Sequence, residues 1–176
     1  MLVVISGPPG AGKTTLAHEV ARAIGCPAIC RDEIKEGMVH ATPGFVPSVS
    51  DPLSLRTLST FFDVIGLLIE RGTTLVAEAA FQDRLWRPGL SPLLGSADLR
   101  IIQCTVSTDV ALERISTRAA ADPLRKAHED TSPDLDARRQ THATFEPITL
   151  PVPTLTVDTT NGYHPPLSDI LTFLAT

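Results

Sequence analysis

The sequence predicts an α/β fold in which helices cover both faces of a parallel sheet. Three observations predict it. Short continuous apolar runs recur along the chain, as expected of strands buried on both faces. Stretches of helical periodicity separate them, so strand and helix alternate and right-handed crossovers follow. The first apolar run, Leu2-Val3-Val4-Ile5, is ended by glycine and prolines and followed directly by a helical pattern.

The elements follow in order. After the first strand, Leu16, Val20 and Ile24 recur at i, i+4 and i+8, with Gly25 placed to end that helix. Pro27 to Cys30 reads as the second strand, and Asp32 can cap a short helix running toward Met38. The Pro-, Ser- and Gly-rich segment 41–52 is a loop. A longer helix follows, in which Leu55, Leu58, Phe61/Phe62, Ile65 and Leu68/Ile69 trace an apolar stripe closed by Gly72. Thr73 to Ala80 is the third strand, and residues 80–90 read as a loop. Leu99 to Val106 is the fourth strand; Ser107 or Thr108 caps the next helix, with Asp109 in its dipole-favourable first turn. Residues 119–146 form a polar insertion in which Ser132-Pro133 opens a helix. Thr154 to Val157 is the fifth strand, and a helix near Pro166–Leu174 ends the pattern. No internal repeat appears, so residues 1–176 are expected to form a single domain carrying that insertion.

Composition narrows the function. The 176 residues carry 15 Lys+Arg against 20 Asp+Glu, a net charge of −5, and 5% aromatic residues. A broad duplex-DNA footprint needs many cations to displace counterions, and single-strand platforms need stacking aromatics. No apolar run reaches the roughly 20 residues of a membrane helix, and strand-like sequence beginning at Leu2 leaves no room for a signal peptide. A cytoplasmic protein is expected. Cys26, Cys30 and Cys104 lack zinc-type pairing and read as reduced core thiols. The five histidines show no metal spacing.

The strongest chemical signal is Gly7-Pro8-Pro9-Gly10-Ala11-Gly12-Lys13-Thr14, which matches G-x-x-x-x-G-K-[ST] between strand and helix. Glycines let the backbone curl so that N–H groups, including that of Ala11, face phosphates, and the helix adds its positive end. Lys13 is expected to neutralise the β/γ-phosphates and Thr14 to place its hydroxyl on Mg²⁺. Thr15 either stabilises the helix start or contacts the α-phosphate.

Ligands of open α/β sheets bind beyond the carboxyl ends of the strands, so the acids there matter. Asp32 follows the second strand and can serve as general base for an acceptor hydroxyl, as a helix N-cap, or as both. Glu78 ends the third strand, where a carboxylate holds the Mg²⁺ hydration shell or orients the acceptor. Arg84 and Arg87 either contact substrate or border the loop. Arg114 and Arg118 share one helical face, and the window 114–126 also carries Arg125 and Lys126 against Asp122 alone. Such a basic edge suits a lid closing on triphosphate. Phe45, Phe61, Phe62, Phe81 and Trp86 either wall an apolar acceptor or belong to the core.

These motifs resemble the P-loop kinases of the adenylate-kinase-like fold, in the branch with 5′-hydroxyl polynucleotide kinases and chloramphenicol phosphotransferase. The resemblance rests on the GPPGAGKTT loop, on Cys30-Arg31-Asp32-Glu33-Ile34-Lys35, on Val76-Ala77-Glu78-Ala79-Ala80-Phe81 and on Leu112 to Arg118. It implies a three-layer αβα fold with strand order 2-3-1-4-5, an aspartate base at Asp32, lid arginines at Arg114 and Arg118, and an adenine pocket near Val157-Asp158-Thr159-Thr160. It departs at Lys35, where the polynucleotide kinases place arginine, and at Glu78, where they carry aspartate; a lysine cannot make the same bidentate phosphate contact.

The expected function is therefore ATP- and Mg²⁺-dependent transfer of the γ-phosphate to a small-molecule hydroxyl, of a nucleoside, sugar or antibiotic-like compound. The acceptor is expected beside Asp32, Lys35, Glu78 and Arg84. The alternatives are a 5′-hydroxyl polynucleotide kinase, with a nucleic-acid end as partner, and a nucleotide-binding regulatory or toxin-like protein without a metabolic acceptor. No protein partner is inferred.

Overall fold

The structure, a computed structural model, describes residues 1–46, 52–121 and 135–176. Its chain order is β1 (Leu2–Ser6), α1 (Lys13–Ile24), β2 (Ala28–Cys30), α2 (Arg31–His40), α3 (Pro52–Glu70), β3 (Leu75–Glu78), α4 (Asp83–Leu90), a 3₁₀ turn (Ser91–Leu93), β4 (Leu99–Thr105), α5 (Thr108–Ala121), α6 (Leu135–Ala143), β5 (Thr154–Asp158) and α7 (Leu167–Ala175). The strands form one sheet in the order β2-β3-β1-β4-β5, and every pairing is parallel. This is the expected order.

Side-chain alternation builds the two faces. Leu2 and Val4 of β1 join Leu75, Ala77 and Ile101 beneath Phe61 and Ile65 of α3 and Trp86 and Leu90 of α4. Val3 and Ile5 point the other way, with Val76 and Ile102, onto Leu16 and Val20 of α1 and Ile170 and Leu174 of α7. Because both faces are covered, β1 is buried throughout. The register aligns Cys30 and Ile5 with Glu78, and Ile5 with Ile102, which fixes one row of residues near the carboxyl edge.

Four local expectations need correction. Residues 83–90, read as a loop, form α4 despite Pro88 and Gly89. The glycine has a packing reason: a Cβ there would meet the Phe62 ring at 2.1 Å, so only hydrogen lets α4 approach α3 this closely. The buried positions of α3 are Leu53, Thr57, Phe61 and Ile65 rather than a stripe through Leu55, which is 74% exposed. Thr57 tolerates burial because its hydroxyl donates to the Leu53 carbonyl at 2.6 Å. By length and composition α3 is apolar enough to cross a membrane, a property the search for continuous apolar runs missed; its buried face packs on the sheet instead. Finally, α2 starts directly from β2, so Cys30 holds the N-cap position and Asp32 sits inside the first turn. The bulk of the expected lid, residues 122–134, lies outside the described residues, together with Arg125 and Lys126.

Candidate active site

The loop from Gly7 to Gly12 joins the end of β1 to the first turn of α1. Gly12 occupies the N-cap with no side-chain capping bond, and no acid sits in the first turn. The first N–H groups of α1 therefore retain their capacity for an anion. Gly10 has φ +82°, and a Cβ there would meet the Ala111 backbone oxygen at 2.6 Å. The loop thus rests directly on α5.

Lys13, Thr14 and Glu78 meet beneath this loop. Lys13 is 6% exposed; its Nζ donates to the Pro8 carbonyl at 3.0 Å and lies 3.9 Å from Glu78 Oε1. The Thr14 hydroxyl donates to Glu78 Oε2 at 3.0 Å. Burial raises the Glu78 pKa above the usual carboxylate range, and the neighbouring Lys13 charge offsets this only in part. Thr14 and Glu78 together present hydroxyl and carboxylate oxygens, which fit a hard cation such as Mg²⁺. Behind the loop, burial pushes the Cys104 thiol up to about 12, so it remains a protonated core group.

Arg114 and Thr159 hold the loop from its other side. The Arg114 guanidinium donates to the carbonyls of Gly10 at 3.4 Å, Thr159 at 2.7 Å and Thr160 at 3.3 Å, and to the Thr159 hydroxyl at 3.3 Å. The buried Thr159 hydroxyl in turn faces the carbonyls of Ala11 and Thr105, each at 3.1 Å. The family resemblance implied a nucleotide beside Thr159; the geometry makes it first a hub joining β4, β5 and the loop. Beside it opens a cavity of about 640 Å³ lined by Gly12, Thr15, Arg114, Arg118, Gly162 and Tyr163, among others. That volume is within the usual range for small-ligand sites. The predicted adenine region borders it.

On the other side of the loop, Asp32 lies two residues beyond Cys30, whose strand partner is Glu78. Arg31 Nη1 lies 3.1 Å from its carboxylate, and the Asp32 side chain is 38% exposed. The Arg31 guanidinium also sits over the Phe81 ring, 5.9 Å from its centroid. Lys35 is 4% exposed and donates from Nζ to Ser54 Oγ at 3.0 Å, tying α2 to α3. Arg84 is exposed on the first turn of α4. Arg87 pairs with Asp83 at 2.9 Å and bonds Thr149, a structural tie to the segment before β5.

Four of the five aromatic residues resolve toward the core, while Phe45 is half-buried and outside both core clusters. Phe61, Phe62, Phe81 and Trp86 form a mutual cluster with centroid separations of 5.3 to 6.2 Å. Trp86 is fully buried, and its Nε1 donates to Ser6 Oγ at 3.1 Å, while Ser6 Oγ donates to the Phe81 carbonyl at 3.3 Å. Trp86 therefore supports the end of β1 from beneath. No sequence spacing signalled this tie, since the partners are 80 residues apart.

Comparison with known proteins agrees with this geometry. The model of the AAA domain family matches residues 2–148. An uncharacterized protein of Mycobacterium tuberculosis is 26% identical over 127 residues, covering 67% of this chain and 26% of its own length, and one of Mycobacterium bovis matches equally. The chain thus spans about a quarter of the length of these curated relatives. A candidate kinase from Chloroflexus aurantiacus superimposes with a TM-score of 0.82 at 25% identity, over 99% of this chain and 96% of that one. A sugar kinase from Janibacter sp. gives 0.67 at 20% identity, over 99% and 94%. The APS kinase of Mycobacterium tuberculosis, solved with AMPPNP and APS, gives 0.65 at 15% identity, over 99% and 97%. The fold is that of the P-loop kinases.

Proposed function

The chain belongs to the AAA domain family, and from that premise we propose that it is an ATP- and Mg²⁺-dependent phosphotransferase acting on a hydroxyl of a small molecule. The observation that carries the reading is the grouping of Lys13, Thr14 and Glu78 under an open helix N-terminus, with Asp32 just past the neighbouring strand. A nucleotide-binding loop alone serves switches and transferases equally; an acid on the acceptor side distinguishes transfer.

In this reading the backbone of Gly7 to Gly12 and the first turn of α1 hold the phosphates, and Lys13 turns from the Pro8 carbonyl to the β- and γ-oxygens. Arg114 keeps the loop in shape through its carbonyl bonds, and Arg118 adds positive charge at the cavity that takes the nucleoside. Thr14 and Glu78 would hold Mg²⁺, which when bound neutralises phosphate charge. The acceptor lies between Asp32, α2, α3 and the Arg84 turn of α4. Asp32 takes the proton of the acceptor hydroxyl while its oxygen bonds to the γ-phosphorus and the bond to the β,γ-bridging oxygen breaks, releasing ADP. The end of α5 and α6 flank the segment expected to act as a lid, whose residues 122–134 lie outside the described residues. The Lys35–Ser54 bond inside the α2–α3 contact supports a small acceptor over a nucleic-acid end, because it draws that cation away from phosphate.

The test is ADP release from ATP·Mg²⁺ across nucleosides, sugars, aminoglycosides, phenicols and oligonucleotides. Release that depends on one small-molecule class is expected. Equal release with and without every acceptor would overturn the assignment in favour of a hydrolysing nucleotide-binding protein.

A further inference from the structure

Where α1, the end of β2 and the first turn of α2 meet, one strand position from Glu78, three side chains of different ligand chemistry converge. We propose that His18, Cys30 and Glu33 form a binding site for a divalent transition-metal ion of the zinc type. They come from three elements, α1, the end of β2 and the first turn of α2. His18 Nε2 lies 2.6 Å from Glu33 Oε1 and 3.8 Å from Cys30 Sγ, and all three ligand atoms fall within 4.8 Å of one another.

The two separations that include His18 are close to those of one coordination sphere, and the sulfur and carboxylate lie within 4.8 Å of each other. Bonds of about 2.0 to 2.3 Å at tetrahedral angles place neighbouring ligand atoms roughly 3.3 to 3.6 Å apart. The sulfur–nitrogen distance is already there to within a few tenths of an ångström. The nitrogen–oxygen distance must open by less than about 1 Å. Rotation of the Glu33 side chain supplies that, because it is 47% exposed. Cys30 is 2% exposed and forms the floor, fixed by its strand pairing with Glu78. The His18 side chain is 45% exposed, so an ion enters from solvent and a water completes the fourth position.

Ligand type separates this site from that of Mg²⁺. Thr14 and Glu78 offer only oxygen, whereas a thiolate and an imidazole select zinc-like ions. An exposed His–Glu ion pair contributes at most about 1 kcal/mol to stability and leaves unexplained why a cysteine sulfur faces the same ring nitrogen. Burial and the nearby Glu78, Glu33 and Asp32 carboxylates raise the Cys30 pKa and keep the thiol protonated without an ion; on binding, its proton passes to solvent as the sulfur–metal bond forms, and His18 binds through neutral Nε2. Cys30 and Glu33 bracket Arg31 and Asp32, so the ion would brace the turn that carries the proposed base. That consequence rests on the proposed function; the site itself does not.

Co²⁺ titration of the full chain tests the site without any activity assay. One equivalent is expected to bring up a thiolate-to-cobalt charge-transfer band and tetrahedral d–d bands, displaced by Zn²⁺ but not by excess Mg²⁺. Cys30→Ser should abolish the charge-transfer band and Cys26→Ser should keep it. His18→Ala and Glu33→Gln, at half-exposed positions, should each weaken Co²⁺ binding at least tenfold while far-UV circular dichroism stays unchanged. No charge-transfer band in the wild type, its survival in folded Cys30→Ser, or unaltered affinity in both His18→Ala and Glu33→Gln would overturn the proposal. Should Cys30→Ser fail to fold, the latter two variants decide.

Discussion

Gly10→Ala separates two demands that the phosphate loop places on one residue. The first is conformational: φ is +82°, and an alanine held in the left-handed region costs about 1–2 kcal/mol. The second is steric. The new Cβ would stand 2.6 to 2.9 Å from the backbone oxygen, Cα and Cβ of Ala111, where ordinary contact begins at 3.4 Å. The loop and α5 must therefore part by about 0.5–0.8 Å, and rearrangements of that kind in packed interiors cost about 1–3 kcal/mol. Gly95 supplies the control, with φ +85° and nothing within 4 Å of its would-be Cβ. Urea unfolding should show Gly95→Ala destabilised by about 1–2 kcal/mol and Gly10→Ala by about 2–5 kcal/mol. Titration calorimetry with ATP·Mg²⁺ should show little change for Gly95→Ala. For Gly10→Ala we expect affinity lost by about ten- to a hundredfold, the equivalent of one charge-assisted hydrogen bond of about 1.5–3 kcal/mol. Equal stabilities and equal nucleotide affinities in the two variants would refute the close approach of loop and α5.

Other expectations follow from single contacts. Trp86→Phe removes the bond to Ser6 and part of the aromatic volume, for a loss of about 1–3 kcal/mol, while Trp86→Ala should lose about 3–5 kcal/mol. Circular dichroism of urea unfolding measures both, and a loss below about 0.5 kcal/mol for Trp86→Ala would contradict its role under β1. Arg114→Ala should weaken nucleotide binding at least tenfold, because the carbonyls of Gly10, Thr159 and Thr160 lose their common donor; calorimetry showing unchanged affinity would remove Arg114 from the loop's support. Burial lowers the His142 pKa, so the folded protein binds that proton less readily than the unfolded chain. The His142 contribution is thus fully present above the ordinary histidine range and lost as pH falls through roughly 6.5 toward the lowered value. Imidazole NMR should find His142 titrating below the ordinary histidine value of 6.5, and a titration at or above it would contradict this.

The parts of the fold legible in the sequence were those that local pattern determines. Leu2 to Ile5 is apolar at every position because both faces are covered, and the sequence Gly7 to Thr14 requires its turn whatever surrounds it. The sheet order came from resemblance rather than from any residue, because registers such as Cys30 with Glu78 join segments far apart in sequence. The helix α4 was hidden because Pro88 and Gly89 are local breakers, and the reason for the glycine lies in Phe62 of another helix. Asp32 and Glu78 were readable from their places just after or at strand ends, and Lys13 from the phosphate-loop motif. What joins them was not: the hub at Thr159, the Trp86–Ser6 bond and the meeting of His18 with Cys30 all depend on tertiary approach.

The most direct test of phosphotransfer is γ-³²P transfer from ATP to whichever acceptor the panel identifies, followed in wild type and Asp32→Asn. The variant keeps the shape of Asp32 and leaves the phosphate loop intact. Wild type should label the acceptor hydroxyl. Asp32→Asn should bind ATP·Mg²⁺ within about threefold of wild type yet transfer label about 10²–10⁴-fold more slowly, the range for loss of a general base. Transfer by Asp32→Asn at the wild-type rate would contradict the account.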